Sequence, residues 1–112
     1  MKRKLLGYED VEGHEIRHGD IIQFYYRQGT PPRYSSKPKD GYKGMVEICF
    51  LDHDNQAYSV NCNGWGAKLE KNNNHSTIIG NVYENRGLLE HFLEESIDEL
   101  FPEIKNEAKN GR

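Results

Sequence analysis

Between Gly7 and Phe24 the chain never runs far without a turn residue, and this punctuation constrains the fold more than any other feature. Asp10 to Gly13 carries turn chemistry, because an Asp carboxylate bonds its own backbone and Gly accepts positive φ without a Cβ clash. Gly19-Asp20 repeats the signal. Around these turns sit Ile16 and then Ile21, Ile22 and Phe24, a β-branched and aromatic set suited to a pleated, half-buried surface. The spacing predicts a short strand near 14–17 and a longer one near 20–27. It leaves no room for a long helix.

The same stretch spells His14-Glu15-Ile16-Arg17-His18, the His-Glu-x-x-His pattern of zinc hydrolases. That chemistry needs a helix to bring both imidazoles to one face. Gly13 and Gly19 bracket the segment, which is too short for a stable helix. On a strand the two histidines lie roughly 13 Å apart at about 3.3 Å per residue, too far to share one ion. The expectation is solvated turn histidines, with no metal, cofactor or catalytic residue.

At 112 residues the chain is expected to form one domain over residues 1–101, with a polar, frayed tail over 102–112. Hydrophobic residues are only 35% of the chain, so the core should be thin and self-association a natural supplement, which makes a homo-oligomer the expected state. No apolar run approaches a membrane span, and the Met-Lys-Arg-Lys-Leu-Leu start leads at once into Gly and charged residues, so a cytoplasmic protein with no membrane partner is expected. Cys49 and Cys62 are too few for a disulfide scaffold and read as reduced core cysteines.

The middle of the chain divides into a loop and a hairpin. From Gln28 to Gly44 the composition of Gly, Pro, Ser and Lys predicts a long loop. From Arg27 to Lys43 there are five bases, Arg27, Arg33, Lys37, Lys39 and Lys43, against one acid, Asp40, with Tyr25 and Tyr26 just before them and Tyr34 and Tyr42 among them. Such a composition suits stacking on a base while pairing a phosphate, and equally suits a mobile solvated loop or a subunit contact. Met45 to Leu51 alternates with period two, Val46, Ile48 and Phe50 on one face and Glu47 and Cys49 on the other. Asp52-His53-Asp54-Asn55 then turns the chain into a second strand, Ala57 to Cys62. Trp65, between two glycines, is either a core cap or an aromatic platform beside a pocket. A brief strand over Ala67 to Glu70 and a polar turn at Asn72-Asn73-Asn74 follow.

Thr77 to Tyr83 reads as a last strand whose Gly80 marks a bulge or a close backbone approach. Asn85 can cap a helix. From Leu88 the apolar positions Leu88, Leu89, Phe92, Leu93, Ile97, Leu100 and Phe101 recur at helical spacing, with Glu90, Glu94, Glu95, Asp98 and Glu99 facing out, and Pro102 stops the run. From Gly87 onward acids outnumber bases seven to three, opposite in sign to the 27–43 segment. This asymmetry either steers an anionic ligand or a second subunit, or is plain solvation. The fold class expected is mainly β (α+β): a small barrel-like domain of short antiparallel strands with a C-terminal amphipathic helix.

Two segments, Gly7-Tyr8-Glu9-Asp10 with Gly13-His14-Glu15-Ile16 and Gly19-Asp20-Ile21-Ile22, and Ile79-Gly80-Asn81-Val82-Tyr83-Glu84-Asn85 with Leu88-Leu89, together resemble the YopX-like proteins of phages and prophages. The family pattern has Pro where this chain has Arg86, and polar residues other than His at positions 14 and 18. The resemblance implies a β-rich, barrel-like, oligomeric domain made in a bacterial cytoplasm, and it supplies no activity. The basic tyrosine-bearing segment suggests a non-enzymatic accessory protein, of an anti-defence kind, that sequesters an anionic nucleotide-like ligand. Its expected contacts are Arg27, Arg33, Tyr34, Lys43 and Trp65, with Asn81 and Tyr83. The alternative is a module that inhibits a host protein through its acidic helix. Nucleic-acid binding ranks below both, because the net charge is −3 and the bases cluster in one segment.

Overall fold

A computed structural model describes residues 3–64, 66–69, 75–92 and 94–103. Trp65, the Asn72–Asn74 turn and the tail from 104 lie outside the described residues. The strands are β1 (Leu5–Glu9), β2 (Glu15–Arg17), β3 (Asp20–Arg27), β4 (Arg33–Ser35), β5 (Lys43–Leu51), β6 (Ala57–Val60), β7 (Gly66–Lys68) and β8 (Thr77–Asn81). A 3₁₀ turn, Arg86–Leu89, and a helix, α1 (Glu94–Leu100), complete the elements of the described residues. Among the described residues all pairings are antiparallel, and the strands form a curled, open half-barrel with one α-helix at its C-terminal end.

β3 is the axis of the sheet. It pairs β5 along one edge, while its other edge is shared end to end by β8, against Asp20–Gln23, and β4, against Tyr25–Arg27. The order continues through β6 to β7, and β1 and β2 form a separate hairpin. Period-two alternation sends the side chains of β3 to two faces, and both are covered. One face carries Ile21 and Ile48 and packs against Val82, Leu89, Ile97 and Phe101. The other carries Ile22 and Cys49 and packs against Leu6, Ile16 and Leu69, so the hairpin roofs it. We call these the helix face and the hairpin face.

The two motif segments at the chain ends are locked together. The Asp10 carboxylate accepts backbone N–H bonds from Glu12 (2.9 Å), His14 (2.9 Å) and, across the chain, Ile78 (3.1 Å). Val11 donates to the Ser76 carbonyl (2.8 Å) and Val82 to that of Gly19 (2.9 Å). Gly19 has φ +92°, and a Cβ there would lie 2.6 Å from the Tyr83 ring, so glycine is required twice over. At Gly80 a Cβ would meet the Asn85 amide oxygen at 2.6 Å, and the β3–β8 register shifts beside it, combining the bulge and the close approach that an in-strand glycine signals.

Several expectations need correction. The 28–44 loop contains β4 and the start of β5, because β3 is long enough to template a partner on each side of its C-terminal half. β1 is a strand despite Gly7, since β2 offers it a ladder. The helix expected from Leu88 is broken: Leu88 N–H and Phe92 N–H bond three residues back, to Asn85 and Leu89, and the α-helix begins only at Glu94. Asn85 stands at the N-cap of the 3₁₀ turn, but its side chain makes no capping bond there, because its oxygen accepts the Asn81 N–H at 3.0 Å. Of the two free cysteines, Cys49 is buried and Cys62 is exposed. Cys49 lies in the core as expected, on a hairpin face that is itself a core, and Glu47 beside it is half-buried.

Candidate functional site

The C-terminal end of β3 gathers four of the seven residues expected to contact a ligand. In the β4–β3–β5 register, Arg27 lies opposite Arg33, and Tyr26 lies opposite both Tyr34 and Lys43. Residues opposite each other in a ladder share a face. Tyr26, Tyr34 and Lys43 therefore stand on the hairpin face and Arg27 with Arg33 on the helix face, beyond the reach of the respective covers.

On the hairpin face the rings form a graded cluster. Phe24 is buried at its base and meets Tyr34 edge-on, at 5.9 Å between centroids. Tyr34 stacks on His75, 4.5 Å apart and 12° from parallel, and Tyr26 tilts against Tyr34 at 5.6 Å. Tyr34 remains 47% exposed, which leaves an aromatic surface facing solvent, with the exposed Lys43 on the same face two strands away across Tyr26. The hydroxyl of Ser35 donates to the Lys37 carbonyl (2.8 Å) and accepts the Lys37 N–H (3.1 Å), a turn that holds the start of the basic loop against β4.

On the helix face Arg27 and Arg33 are exposed and directly opposed, an arrangement that costs stability between like charges. Among the described residues neither makes an ion pair, nor do Lys37, Lys39 and Lys43; the arginines that do are Arg3 and Arg86. Between the two strands, Arg27, Gln28, Gly29, Thr30, Pro31 and Arg33 line an open depression of about 500 Å³. Two exposed guanidiniums lining one open depression offer donors suited to phosphate or carboxylate oxygens.

Asn81 and Tyr83 are at the opposite end of β3, where Asn81 pairs with Asp20. Seven residues at about 3.3 Å each separate Asp20 from Arg27, roughly 23 Å, so one small ligand does not touch both groups. The Asn81 side chain is committed to its own turn, accepting the N–H groups of Tyr83 and Glu84, each at 3.0 Å. Tyr83 donates its hydroxyl to Glu103 at 2.5 Å.

That end holds a smaller cleft of about 270 Å³, lined by Arg3, Lys4, His18, Tyr83 and Glu103 with the Asp52–Asn55 turn. His18 Nδ1 accepts the Leu51 N–H at 3.0 Å, so Nε2 carries the proton and points toward Glu103, 3.9 Å away. Burial lowers the His18 pKa, and Arg3 and Lys4 lower it further against the opposing pull of Glu103. Arg3 bridges Asp20 at 2.6 Å and lies over the Tyr83 ring. These contacts tie the residues just before β1, the β2–β3 turn and the residues just after α1 together. The His14-to-His18 pattern has dissolved into this scaffold: His14 sits exposed on the turn after β1, and no metal-ligating cluster occurs among the described residues.

Tyr26, Phe24 and His75 complete the aromatic cluster, and of these His75 is the residue that the sequence did not single out. Period two within β3 puts Phe24 and Tyr26 on one face with whatever their partners carry, but nothing local in the chain pairs His75 with Tyr34. Among family models, curated proteins and solved structures, none matches this chain.

Proposed function

We propose that this chain is a non-enzymatic binding protein that holds an anionic, nucleotide-like ligand at the β3–β4–β5 end of its sheet. Arg27 and Arg33 bind phosphate, Tyr34 with Tyr26 stacks against a base, and Lys43 supplies a further cation. The observation that carries this reading is the pair of opposed, exposed guanidiniums without a carboxylate partner among the described residues. A fold that tolerates facing like charges gains from a polyanion what it loses in its absence.

The resemblance to YopX-like proteins belongs to the same proposal: an accessory protein of a phage or prophage, acting in the host cytoplasm. What supports it is that the two segments carrying the resemblance clasp one another through Asp10, Gly19 and Gly80, so both motifs have one structural purpose. Asn81 belongs to that clasp and is not among the proposed contacts. The test is calorimetric titration with nucleotides, free and linked, against wild-type protein and Arg27→Ala/Arg33→Ala. Saturable binding that disappears in the double variant is expected. Flat isotherms with every nucleotide form would remove the reading.

A further inference from the structure

The alternation of β3 and β4 splits the proposed site between two sides of one sheet. The rings and Lys43 lie on the hairpin face, Arg27 and Arg33 on the helix face. A single nucleotide seated on Tyr34 finds Lys43 on the same face, but its phosphate cannot pass through the sheet to the guanidiniums. Only a ligand that continues around the edge employs both. β4 is that edge: three residues long, the last strand in the sheet order, with no described strand beyond it. The depression between Arg27 and Arg33 opens around the turn joining the two strands, where a chain leaving the aromatic face would pass.

Resting on the binding reading above, we propose that the ligand is a single-stranded oligonucleotide that stacks a base on Tyr34 and carries its following phosphates over β4 to Arg27 and Arg33. Ring stacking tolerates any base, and the cluster presents guanidinium and ammonium donors to a backbone, so recognition is of single-stranded polyanion rather than of sequence. The overall negative charge does not oppose this. The acids of α1 belong to the element packed over Ile21, Ile48 and Val82, at the other end of β3. The roughly 23 Å between those ends exceeds the screening length of about 8 Å at physiological salt.

The experiment is fluorescence anisotropy of a labelled oligothymidylate of about ten nucleotides, a length within the usual span of such sites, beside calorimetry with thymidine 5′-monophosphate. Saturable oligonucleotide binding is expected, much tighter than that of the mononucleotide and weakening with salt. Tyr34→Ala should lower the affinity about 5- to 150-fold. Arg27→Ala/Arg33→Ala should reduce the slope of log K against log salt by about 1.4, at about 0.7 for each phosphate no longer neutralised. Circular dichroism and thermal melts establish that these surface variants are folded. Equal affinity for mononucleotide and oligonucleotide overturns this inference and leaves the binding reading intact. Oligonucleotide binding unchanged in both variants overturns the assignment of the site, and no binding of the oligonucleotide overturns this inference, while the binding reading falls only if every nucleotide form also gives a flat isotherm.

Discussion

Removing the Asp10 carboxylate should unfasten the two ends of the chain, and its three hydrogen bonds set the size of the effect. The side chain is fully buried, with Oδ1 accepting from Glu12 and His14 and Oδ2 from Ile78. Hydrogen bonds to a charged acceptor contribute about 1.5–3 kcal/mol each, and a buried donor left unsatisfied costs about 1–3 kcal/mol. Glu12 and His14 lie on an exposed turn where water can replace the carboxylate, whereas the Ile78 N–H lies between β3 and the first turn. Asp10→Ala should therefore lose about 3–5 kcal/mol. Asp10→Asn keeps one acceptor for the turn but sets a donor against the Ile78 N–H, and should lose about 1.5–3 kcal/mol. A chain of this length has roughly 6–17 kcal/mol in reserve, so both variants can be measured. Equilibrium urea unfolding with Glu12→Ala as the exposed control is the assay, with amide exchange at Ile78 as the local readout. A loss below about 1 kcal/mol for Asp10→Ala, or unchanged exchange at Ile78, would refute the reasoning.

Phe101 is fully buried, packs at 4.9 Å from the His18 ring, and anchors the end of the helical segment in the core, so Phe101→Ala should cost about 3–5 kcal/mol by thermal or urea unfolding. A mere surface lid would lose far less. Burial raises the Glu47 carboxyl above its ordinary pKa, with the Ser59 hydroxyl at 2.7 Å only partly opposing it. The folded state then keeps a proton that the unfolded chain releases near pH 4.3, so this group's contribution to stability falls as pH rises from there through the folded value. Glu47→Gln, which retains an acceptor for Ser59, should melt higher than wild type at pH 7, with the gain shrinking toward pH 4; a lower melting point at pH 7 would contradict this. The Ser76 hydroxyl is buried with no hydrogen-bond partner among the described residues, so Ser76→Ala should be neutral or stabilising, within about 1 kcal/mol of wild type in urea.

Local chemistry makes the turns and the long strands legible. Gly19-Asp20 and Asp52–Asn55 announce where the chain reverses, and the Ile21, Ile22 and Phe24 run announces β3 whatever it pairs with. β4 is hidden because Arg33-Tyr34-Ser35 sits among prolines and lysines and is a strand only where β3 offers Tyr25–Arg27 as a template. The second core is hidden for a related reason. Alternation in β5 marks Val46, Ile48 and Phe50 as one face, and residue type alone places Cys49 in a core, but what covers it is a hairpin more than twenty residues upstream. The helix reads too long in the sequence because apolar spacing persists through Leu88 and Phe92 while the Asn85 side chain is already spent on β8. At the candidate site, composition points to the cations and tyrosines. Their division between two faces emerges only with the β3–β4 register, which also moves Asn81 and Tyr83 to the far end.

The β3–β4–β5 end is the place proposed for a nucleotide-bearing polyanion, and everything functional depends on that location. Amide and side-chain NMR spectra recorded while oligothymidylate is added read it residue by residue. Saturable shifts should gather at 24–27, 33–35 and 43–45, with Val82, Tyr83 and the helix from 94 to 100 unmoved. Shifts centred on His18 and Tyr83, or spectra that do not change, would contradict it.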